Sequence, residues 1–224
     1  VLNIMMTTNQ EFKNAALSAL KGNWAPAVLA SLVYFVIACV VSGATSIYQV
    51  VNSDMFVPGS PTPAGYLGLS GSSLLLYIFL LIPLSVGFVN AFNALYVYSN
   101  ANLLSNTFGY GFKAYWRSVG GMLLVGVFTF LWSLLLIIPG IIKAYSYSLT
   151  PYIIVDNPEL SVREAIRRSQ QMMQGQKFNL FYLQLSFIGW WILACLTGGI
   201  GFLWLLPYMQ TSQAVFYQNL KNNL

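Results

Sequence analysis

The sequence predicts an all-α membrane protein with six transmembrane helices, arranged as three repeats of a cytoplasmic amphipathic helix followed by a transmembrane hairpin. Three observations lead to this fold class. The 224 residues are 57% hydrophobic and 7% charged, whereas soluble domains carry about 25% charged residues. Long apolar segments alternate with short polar connectors. Seven of the fifteen charged residues lie between positions 156 and 177, within one such connector.

The connector 156–177 predicts an amphipathic helix that lies along a membrane surface. Its apolar and small residues recur at the spacing of one helical face. They are Val162, Ala165, Ile166, Ser169, Met172 and Met173. Ser161 and Glu164 form an S-x-x-E capping box, and Gly175 stands where a left-handed residue would end the helix. Because apolar segments flank this connector on both sides, we expect it at the membrane interface.

The same combination of polar cap, one-faced helix and glycine occurs twice more. Thr8 and Glu11 form a second capping box, and Gly22 ends the helix that follows. In the middle of the chain Ser105 precedes aromatic residues at helical spacing, and Gly120 is the expected stop. The resulting repeats are about 8–100, 105–157 and 161–220, in a single transmembrane domain formed by residues 1–224. The alternative is that these helices are ordinary amphipathic connectors of a polytopic protein.

Six apolar segments are candidates for membrane crossing, which needs roughly 20 residues. They are expected at about 24–51, 73–100, 121–138, 141–155, 178–196 and 200–219. Pro83 lies in the second segment, which is longer than the bilayer core and is therefore expected to tilt, bend or project past one surface. Pro139 and Gly140 mark a turn between the third and fourth segments. The segment 52–72 is rich in Gly, Pro and Ser and is the expected external loop.

The distribution of basic residues predicts the orientation of the chain. Six crossings place both termini on one side, which then holds nine of the ten Lys and Arg residues. The positive-inside rule makes that side cytoplasmic, together with the three surface helices. Lys143 is the exception, since it lies three residues beyond Gly140 and toward the opposite side. We expect Lys143 either to extend to the outer headgroups or to enter a polar pocket or contact a lipid phosphate.

The reactive side chains do not indicate an enzyme. The chain has no histidine, the commonest general base and metal ligand. Among five carboxylates, Glu11 and Glu164 are explained as helix caps, and none is expected within a span. Cys39 and Cys195 lie in apolar segments and are expected to be buried free thiols. The sequence therefore predicts no catalytic residue, cofactor or metal site.

The net charge of +5 does not indicate a nucleic-acid partner, because the basic residues lie in the connectors.

Uncharged polar residues within the expected spans allow two interpretations. Asn90 and Asn93 are three residues apart and share one face of the second span. The full set is Asn90, Asn93, Tyr147, Gln184 and Gln210. Such residues commonly form hydrogen bonds between helices, worth ~0.6 kcal/mol on average. Alternatively, they line a polar cavity between the hairpins that admits a small solute or a lipid headgroup.

Several segments of the chain occur together in a recognisable combination. They are 20–24 (LKGNW), 138–142 (IPGII), 156–160 (DNPEL), 169–175, 206–208 (LPY) and 214–217 (AVFY). In this combination the chain resembles a bacterial membrane-protein family known as domain-of-unknown-function family 975. The resemblance covers most of the chain except the loop 52–72. It implies a polytopic protein of the bacterial inner membrane, and it supplies neither an activity nor catalytic residues.

We therefore expect a non-catalytic inner-membrane protein that works by binding, as a scaffold or accessory protein. Its cytoplasmic helices would contact a partner or lipid through Arg163, Arg167 and Arg168. Lys177, and Lys143 on the opposite side, are further candidates for contact with a partner or lipid. Membrane lipids are the expected partners, with another membrane protein or a second copy of this chain as further candidates. The alternative function is a transporter, channel or lipid-handling protein with a polar route between the hairpins.

Overall fold

The computed structural model describes residues 8–51, 75–99 and 102–223, with only the backbone described at 42–51 and 135. Within these residues all regular structure is helical. The helices are α1 (Asn9–Leu20), α2 (Trp24–Val51), α3 (Ile82–Tyr98), α4 (Leu103–Lys113), α5 (Tyr115–Leu135), α6 (Ile137–Tyr147), α7 (Thr150–Asp156), α8 (Val162–Met172), α9 (Lys177–Leu185), α10 (Ile188–Leu196) and α11 (Phe202–Asn222). A π-helical turn, Tyr77–Leu81, precedes α3. The expected loop 52–72 lies outside the described residues.

Four helical stretches of the described chain are long and apolar enough to cross a membrane. They are Trp24–Val41, Tyr77–Tyr98, Tyr115–Leu134 and Lys177–Leu196, which correspond to the first, second, third and fifth expected spans. The fourth expected span is divided into α6 and α7 by a turn at Ser148 and Leu149. The sixth corresponds to α11, a continuous helix of 21 residues. The six crossings and the threefold repeat therefore stay predictions.

Both complete capping boxes predicted from the sequence are confirmed. The backbone N–H of Glu11 donates to Thr8 Oγ1 at 3.3 Å, and the N–H of Thr8 donates back to the Glu11 carboxylate at 3.2 Å. Ser161 and Glu164 form the same reciprocal pair at the start of α8, at 3.3 and 2.8 Å. Each box supplies acceptors for N–H groups that the first helical turn leaves without partners.

Glycine was predicted to end the amphipathic helix of each repeat. This prediction is confirmed for Gly22 and Gly175 and is wrong for Gly120. Gly22 and Gly175 follow α1 and α8 with positive φ angles of 84° and 76°, a conformation that glycine adopts without steric cost. Gly120 instead lies inside α5, and the break falls six residues earlier at Ala114, between α4 and α5. A glycine that keeps helical dihedrals weakens a helix without ending it, which is why Gly120 gives no stop.

Small residues bring α3 and α4 into close antiparallel contact. A Cβ atom on Gly87 would collide with the carbonyl oxygen of Thr107, and one on Gly111 would collide with the carbonyl oxygen of Pro83. The aromatic side chains of Phe108 and Phe112 face away from this contact and are exposed. Close backbone approach through small residues is typical of helix pairs in membranes.

The stretch Tyr77–Tyr98 is the centre of the protein. In its most apolar part 67% of the residues are buried, compared with 17% to 22% of the residues in the other three candidate spans. Pro83 at the start of α3 has no N–H to offer the carbonyl of Phe79, and the hydroxyl of Tyr115 donates to that oxygen at 2.8 Å. The helix is therefore irregular just before Pro83, where it forms a π-helical turn supported from α5.

The apolar faces of α1 and α8 are covered by protein. Phe12 of α1 meets Phe216 of α11 with ring centroids 5.4 Å apart. Ala165 and Met172 of α8 belong to the same buried cluster as these two rings. The two capped helices are thus fixed onto the core by their apolar sides, and their polar sides face outward.

The outer surface of the described helices is strongly apolar. Leu136, Ile137 and Ile138, at the turn between α5 and α6, are 68% to 75% exposed. Cys39 and Cys195 are free, but both are exposed, so the expectation of burial is wrong. In a membrane protein an apolar side chain can contact lipid as favourably as it contacts the protein core. The apolar sequence of a segment therefore does not show which of its residues face the core.

Candidate functional site

The site is built on the outward face of α8. The inward face is fixed by burial of Ala165, Ile166 and Met172. Between them Ser169 is fully buried, and its hydroxyl donates to the carbonyl oxygen of Ser146 on α6 at 2.8 Å. With one face held in this way, α8 has little freedom to rotate about its axis, and its charged residues keep a defined direction.

Arg117 fixes the loop that leads into α8. Its guanidinium donates to the carbonyl oxygens of Asn157 at 3.1 Å and Leu160 at 2.6 Å, and also to that of Pro158. A planar fork of donors suits several carbonyl groups at once. Sequence reasoning missed this role, since Arg117 was grouped with the cytoplasmic cations. The sequence signal that could have indicated this role is the turn 157–160 just before α8. Its carbonyl groups do not belong to a helix and are therefore available to an arginine.

The three arginines of α8 are exposed, and Arg168 lies near enough to the buried Tyr217 for its charge to act on that phenol. Arg163, Arg167 and Arg168 form no hydrogen bond and no ion pair with any residue that the structure describes. Hydrogen bonds from the Ser161 hydroxyl and backbone N–H, helped by the charge of Arg167, hold the pKa of the exposed Glu164 carboxyl below its ordinary value. The outward face of α8 is therefore cationic at neutral pH, with Glu164 ionised at its start.

Two adjoining cavities lie beside this face. The first has a volume of about 320 Å³ and is lined by Leu160, Glu164, Arg167, Arg168, Gln171 and Met172. The second has a volume of about 270 Å³ and is lined by Lys143, Ser146, Gln170, Gln171, Gln174 and Lys177. Gln171 lines both, so the two cavities are neighbours along α8. We call the second one the Lys143–Lys177 pocket.

The position of Lys143 in this pocket differs from the position expected from the sequence. A roughly spherical cavity of about 270 Å³ is about 8 Å across, far less than the ~30 Å thickness of the hydrocarbon core. The structure therefore places Lys143 beside Lys177, whereas the charge distribution suggested that the two lysines lie on opposite sides of the membrane. The reason is that α8 folds back along α7 and α6, where Ser169 meets Ser146. The ammonium of Lys143 also lies 4.7 Å from the ring centre of Trp132.

Asn90 and Asn93 line a separate polar cavity of about 230 Å³, together with Ala94, Tyr98, Tyr110, Val155, Asp156 and Lys221. The Asn90 amide donates to the carbonyl oxygens of Val86 and Pro151, both at 2.9 Å. Its own oxygen is buried without a hydrogen-bond partner among the described residues. Asn93 accepts a hydrogen bond from Gln218 at 2.8 Å. The two asparagines thus connect α3 with α7 and α11 at one wall of this cavity.

Asp156 is the charged centre of the same cavity. Its Oδ2 atom accepts hydrogen bonds from the hydroxyl of Tyr217 at 2.9 Å and from the ammonium of Lys221 at 2.6 Å. Burial and the nearby Tyr98 and Asp156 raise the pKa of the Tyr110 phenol. The sequence did not indicate this group, because Tyr217 and Lys221 lie 61 and 65 residues after Asp156.

The other three polar candidates lie elsewhere. Tyr147 is buried, with its ring 6.4 Å from that of Phe128. Gln184 accepts a hydrogen bond from the hydroxyl of Tyr145 at 2.8 Å. Gln210 has a buried side-chain oxygen without a hydrogen-bond partner in the described part of the chain. None of the three lines the cavity at Asn90 and Asn93, so the structure does not bring the five candidates together.

A family model described as "Protein of unknown function (DUF975)" matches residues 5–146 and, in a second match, residues 134–224. The chain belongs to the DUF975 family. This confirms the resemblance drawn from its sequence segments. No curated protein and no solved structure gives a match. DUF975 carries no named activity, so a function for this member has to come from the geometry of its own residues.

Proposed function

We propose that this DUF975 protein is a non-catalytic, multi-pass protein of the bacterial inner membrane that works by binding, as a scaffold or accessory protein. The outward face of α8 is the contact surface, and Arg163, Arg167 and Arg168 are its contact residues. Its ligand is a negatively charged surface, either lipid headgroups or an acidic segment of a partner protein.

The observation that carries this proposal is the unpaired state of the three arginines within the described structure. Two of the other connector cations are engaged internally. Arg117 holds the loop before α8, and Lys13 donates to the carbonyl oxygen of Ser186 at 2.9 Å. Basic side chains near a membrane surface are attracted to anionic headgroups by ~1 kcal/mol each. Three of them on one fixed face give a surface whose affinity depends on charge.

The proposal includes six crossings in three repeats, with both termini cytoplasmic. Two features support a common side for the termini. Phe12 near the N-terminus contacts Phe216 near the C-terminus, and the chain folds back sharply at Gly140, beside Ser133, and at Gly201, beside Ala194. Labelling single cysteines in a variant without Cys39 and Cys195 tests this arrangement. The substitution Pro61→Cys places a single cysteine in the expected external loop. Reaction of that cysteine with a reagent added from the cytoplasmic side would contradict the arrangement.

Replacing the three arginines by glutamine tests the contact surface. The R163Q/R167Q/R168Q variant is compared with the native protein for phosphatidylglycerol binding in detergent and for cross-linking to partners in native membranes. The matched control is K21Q/K113Q, which removes exposed cations from the other connectors. Loss of either interaction only in the triple variant supports the proposal. Unchanged lipid binding and unchanged cross-linking would contradict it.

A transporter, channel or lipid-handling protein is the second candidate. The cavity that contains Asn90, Asn93 and Asp156 favours it, because charged and amide groups there adjoin a central helix. This candidate predicts flux of ions or small solutes across proteoliposomes that Asn93→Leu reduces. If flux is no higher than in protein-free liposomes while the α8 interaction is present, the first candidate is favoured.

A further inference from the structure

We propose that the Lys143–Lys177 pocket binds the phosphate group of an anionic phospholipid. This inference rests on the proposed binding function and names its ligand class, but it assigns that ligand to different residues from the arginines. The pocket lies where α6, the last turn of α8 and the start of α9 meet. Its occupant is a lipid molecule held by its headgroup, with the acyl chains on the outer surface of the protein.

The charge of the pocket favours an anion. Lys143 and Lys177 line one cavity, and no carboxylate lines it with them. Neither lysine forms an ion pair with another residue that the structure describes. Two like charges that share a cavity repel each other, and an anion placed between them replaces that repulsion with two attractions. A phosphate has enough oxygens to meet both ammonium groups.

The remaining polar groups of the pocket suit phosphate oxygens. Gln170, Gln171 and Gln174 each carry an amide that can donate hydrogen bonds. Lys177 is also the first residue of α9, and the partial positive charge at a helix N-terminus favours a bound anion. Charge-assisted bonds to phosphate are roughly twice as strong as neutral ones. The lysines therefore account for most of the binding, and the amides orient the group.

The surroundings of the pocket select a lipid over free phosphate. Next to Lys143 on α6, Ile141 and Ile142 are 53% and 46% exposed. Beyond Lys177 on α9, Phe178 and Phe181 are 73% and 40% exposed. The polar pocket is therefore flanked on two helices by apolar side chains that can contact acyl chains. Phosphate alone would leave these apolar surfaces uncovered.

The same charges select an anionic headgroup over a zwitterionic one. Phosphatidylcholine also carries a phosphate, but its choline cation would add a third positive charge beside the two lysines. Phosphatidylglycerol has no such cation and offers hydroxyl groups to the glutamine amides. Affinity should therefore follow the order phosphatidylglycerol, phosphatidylcholine, inorganic phosphate.

The test measures binding of phosphatidylglycerol, phosphatidylcholine and inorganic phosphate to the full chain in detergent, by native mass spectrometry and by lipid titration. The K143Q/K177Q variant is expected to lose affinity for phosphatidylglycerol by roughly 30-fold, from two headgroup-attracting charges, with little change for phosphatidylcholine. K143R/K177R keeps both charges and should stay within a few-fold of the native affinity. Q174E places a carboxylate beside the lysines at an exposed position and should weaken binding without any loss of charge from Lys143 or Lys177.

The outcomes separate this inference from the proposed function. Loss of phosphatidylglycerol in K143Q/K177Q and Q174E, with R163Q/R167Q/R168Q unchanged, supports the pocket and contradicts the arginine surface as the lipid contact. Loss only in the arginine variant overturns the pocket and leaves the proposed function in place. Equal binding of inorganic phosphate and phosphatidylglycerol overturns the lipid assignment. If K143Q/K177Q does not fold, the single variant K177Q and Q174E decide the question.

Discussion

The hydroxyl of Ser169 on α8 donates a hydrogen bond to the carbonyl oxygen of Ser146 on α6, over 2.8 Å and 23 positions of sequence. Both residues are buried. This contact sets which side of α8 faces the protein. As a result the arginines point outward, and Gln170 and Gln174 lie beside Lys143 on α6.

Removing this hydrogen bond should loosen α8. Ser169→Ala leaves the Ser146 carbonyl without this donor and should lower the free energy of unfolding by about 1 kcal/mol. Ser169→Leu also forces a larger side chain into a filled contact and should cost about 1–3 kcal/mol. Thermal unfolding in detergent measures both. Ser18→Ala, at an exposed serine of α1, is the control and should change stability by less than about 0.5 kcal/mol.

The contact between α3 and α4 should be sensitive to one added methyl group. Gly87→Ala places a Cβ against the backbone of Thr107, which cannot move without separating the helices. We expect a loss of about 1–3 kcal/mol. At Gly109 a Cβ would meet nothing within 4 Å, so Gly109→Ala should stabilise α4 by up to about 1 kcal/mol. Equal unfolding temperatures for the two variants would contradict the close contact.

Arg117 should control the order of the loop before α8. Arg117→Gln removes the charged donor to the carbonyl groups of Asn157, Pro158 and Leu160. Bonds of this kind contribute about 1.5–3 kcal/mol, so local opening of 157–161 should become roughly 10- to 100-fold more frequent. Hydrogen–deuterium exchange measures this directly. Arg117→Lys should be only partly protective, since an ammonium lacks the planar fork, and Arg163→Gln should leave exchange in the loop unchanged.

The charge of Glu164 should make the start of α8 sensitive to acid. The pKa of Glu164 in the folded protein is below its ordinary value of 4.5. The ionised carboxylate therefore stabilises the folded state above the unfolded-state pKa, and this contribution disappears as the pH falls through the folded-state pKa. Glu164→Gln should unfold at a lower temperature than the native protein at neutral pH.

The same difference between Glu164→Gln and the native protein should shrink as the pH falls below 4.5. The measurement is a series of thermal unfolding curves across this range. Glu159→Gln removes an exposed carboxylate two residues before the cap and is the matched control. A difference that grows toward acid pH would mean that the charge of Glu164 opposes folding.

The two donors to Asp156 should differ in importance. Tyr217 is 1% exposed, so Tyr217→Phe leaves a partly buried carboxylate short of one donor and should cost about 1.5–3 kcal/mol. The side chain of Lys221 is 41% exposed, and water can replace it, so Lys221→Gln should cost less than about 1 kcal/mol. Thermal unfolding of both variants in detergent compares the two losses of stability. A greater loss of stability from Lys221→Gln than from Tyr217→Phe would contradict this order of importance.

The sequence determined the features that depend on residues within a few positions of each other. The capping boxes at Thr8 and Ser161 and the left-handed glycines that follow α1 and α8 were predictable, since each involves one helical turn. The length of the apolar segments predicted α2 from Trp24 to Val51. The predicted stop at Gly120 was wrong, because a glycine alone does not specify a left-handed residue and Gly120 continues α5.

Only the tertiary structure decided which helical faces meet. It brought Lys143 to Lys177, Asp156 to Tyr217, and Gly87 to the backbone of Thr107. Hydrophobic patterning distinguishes protein core from water, but lipid and core are almost equally apolar, so the pattern does not show which apolar face contacts protein. Close packing and hydrogen bonds between distant segments make that choice, and they depend on the whole fold.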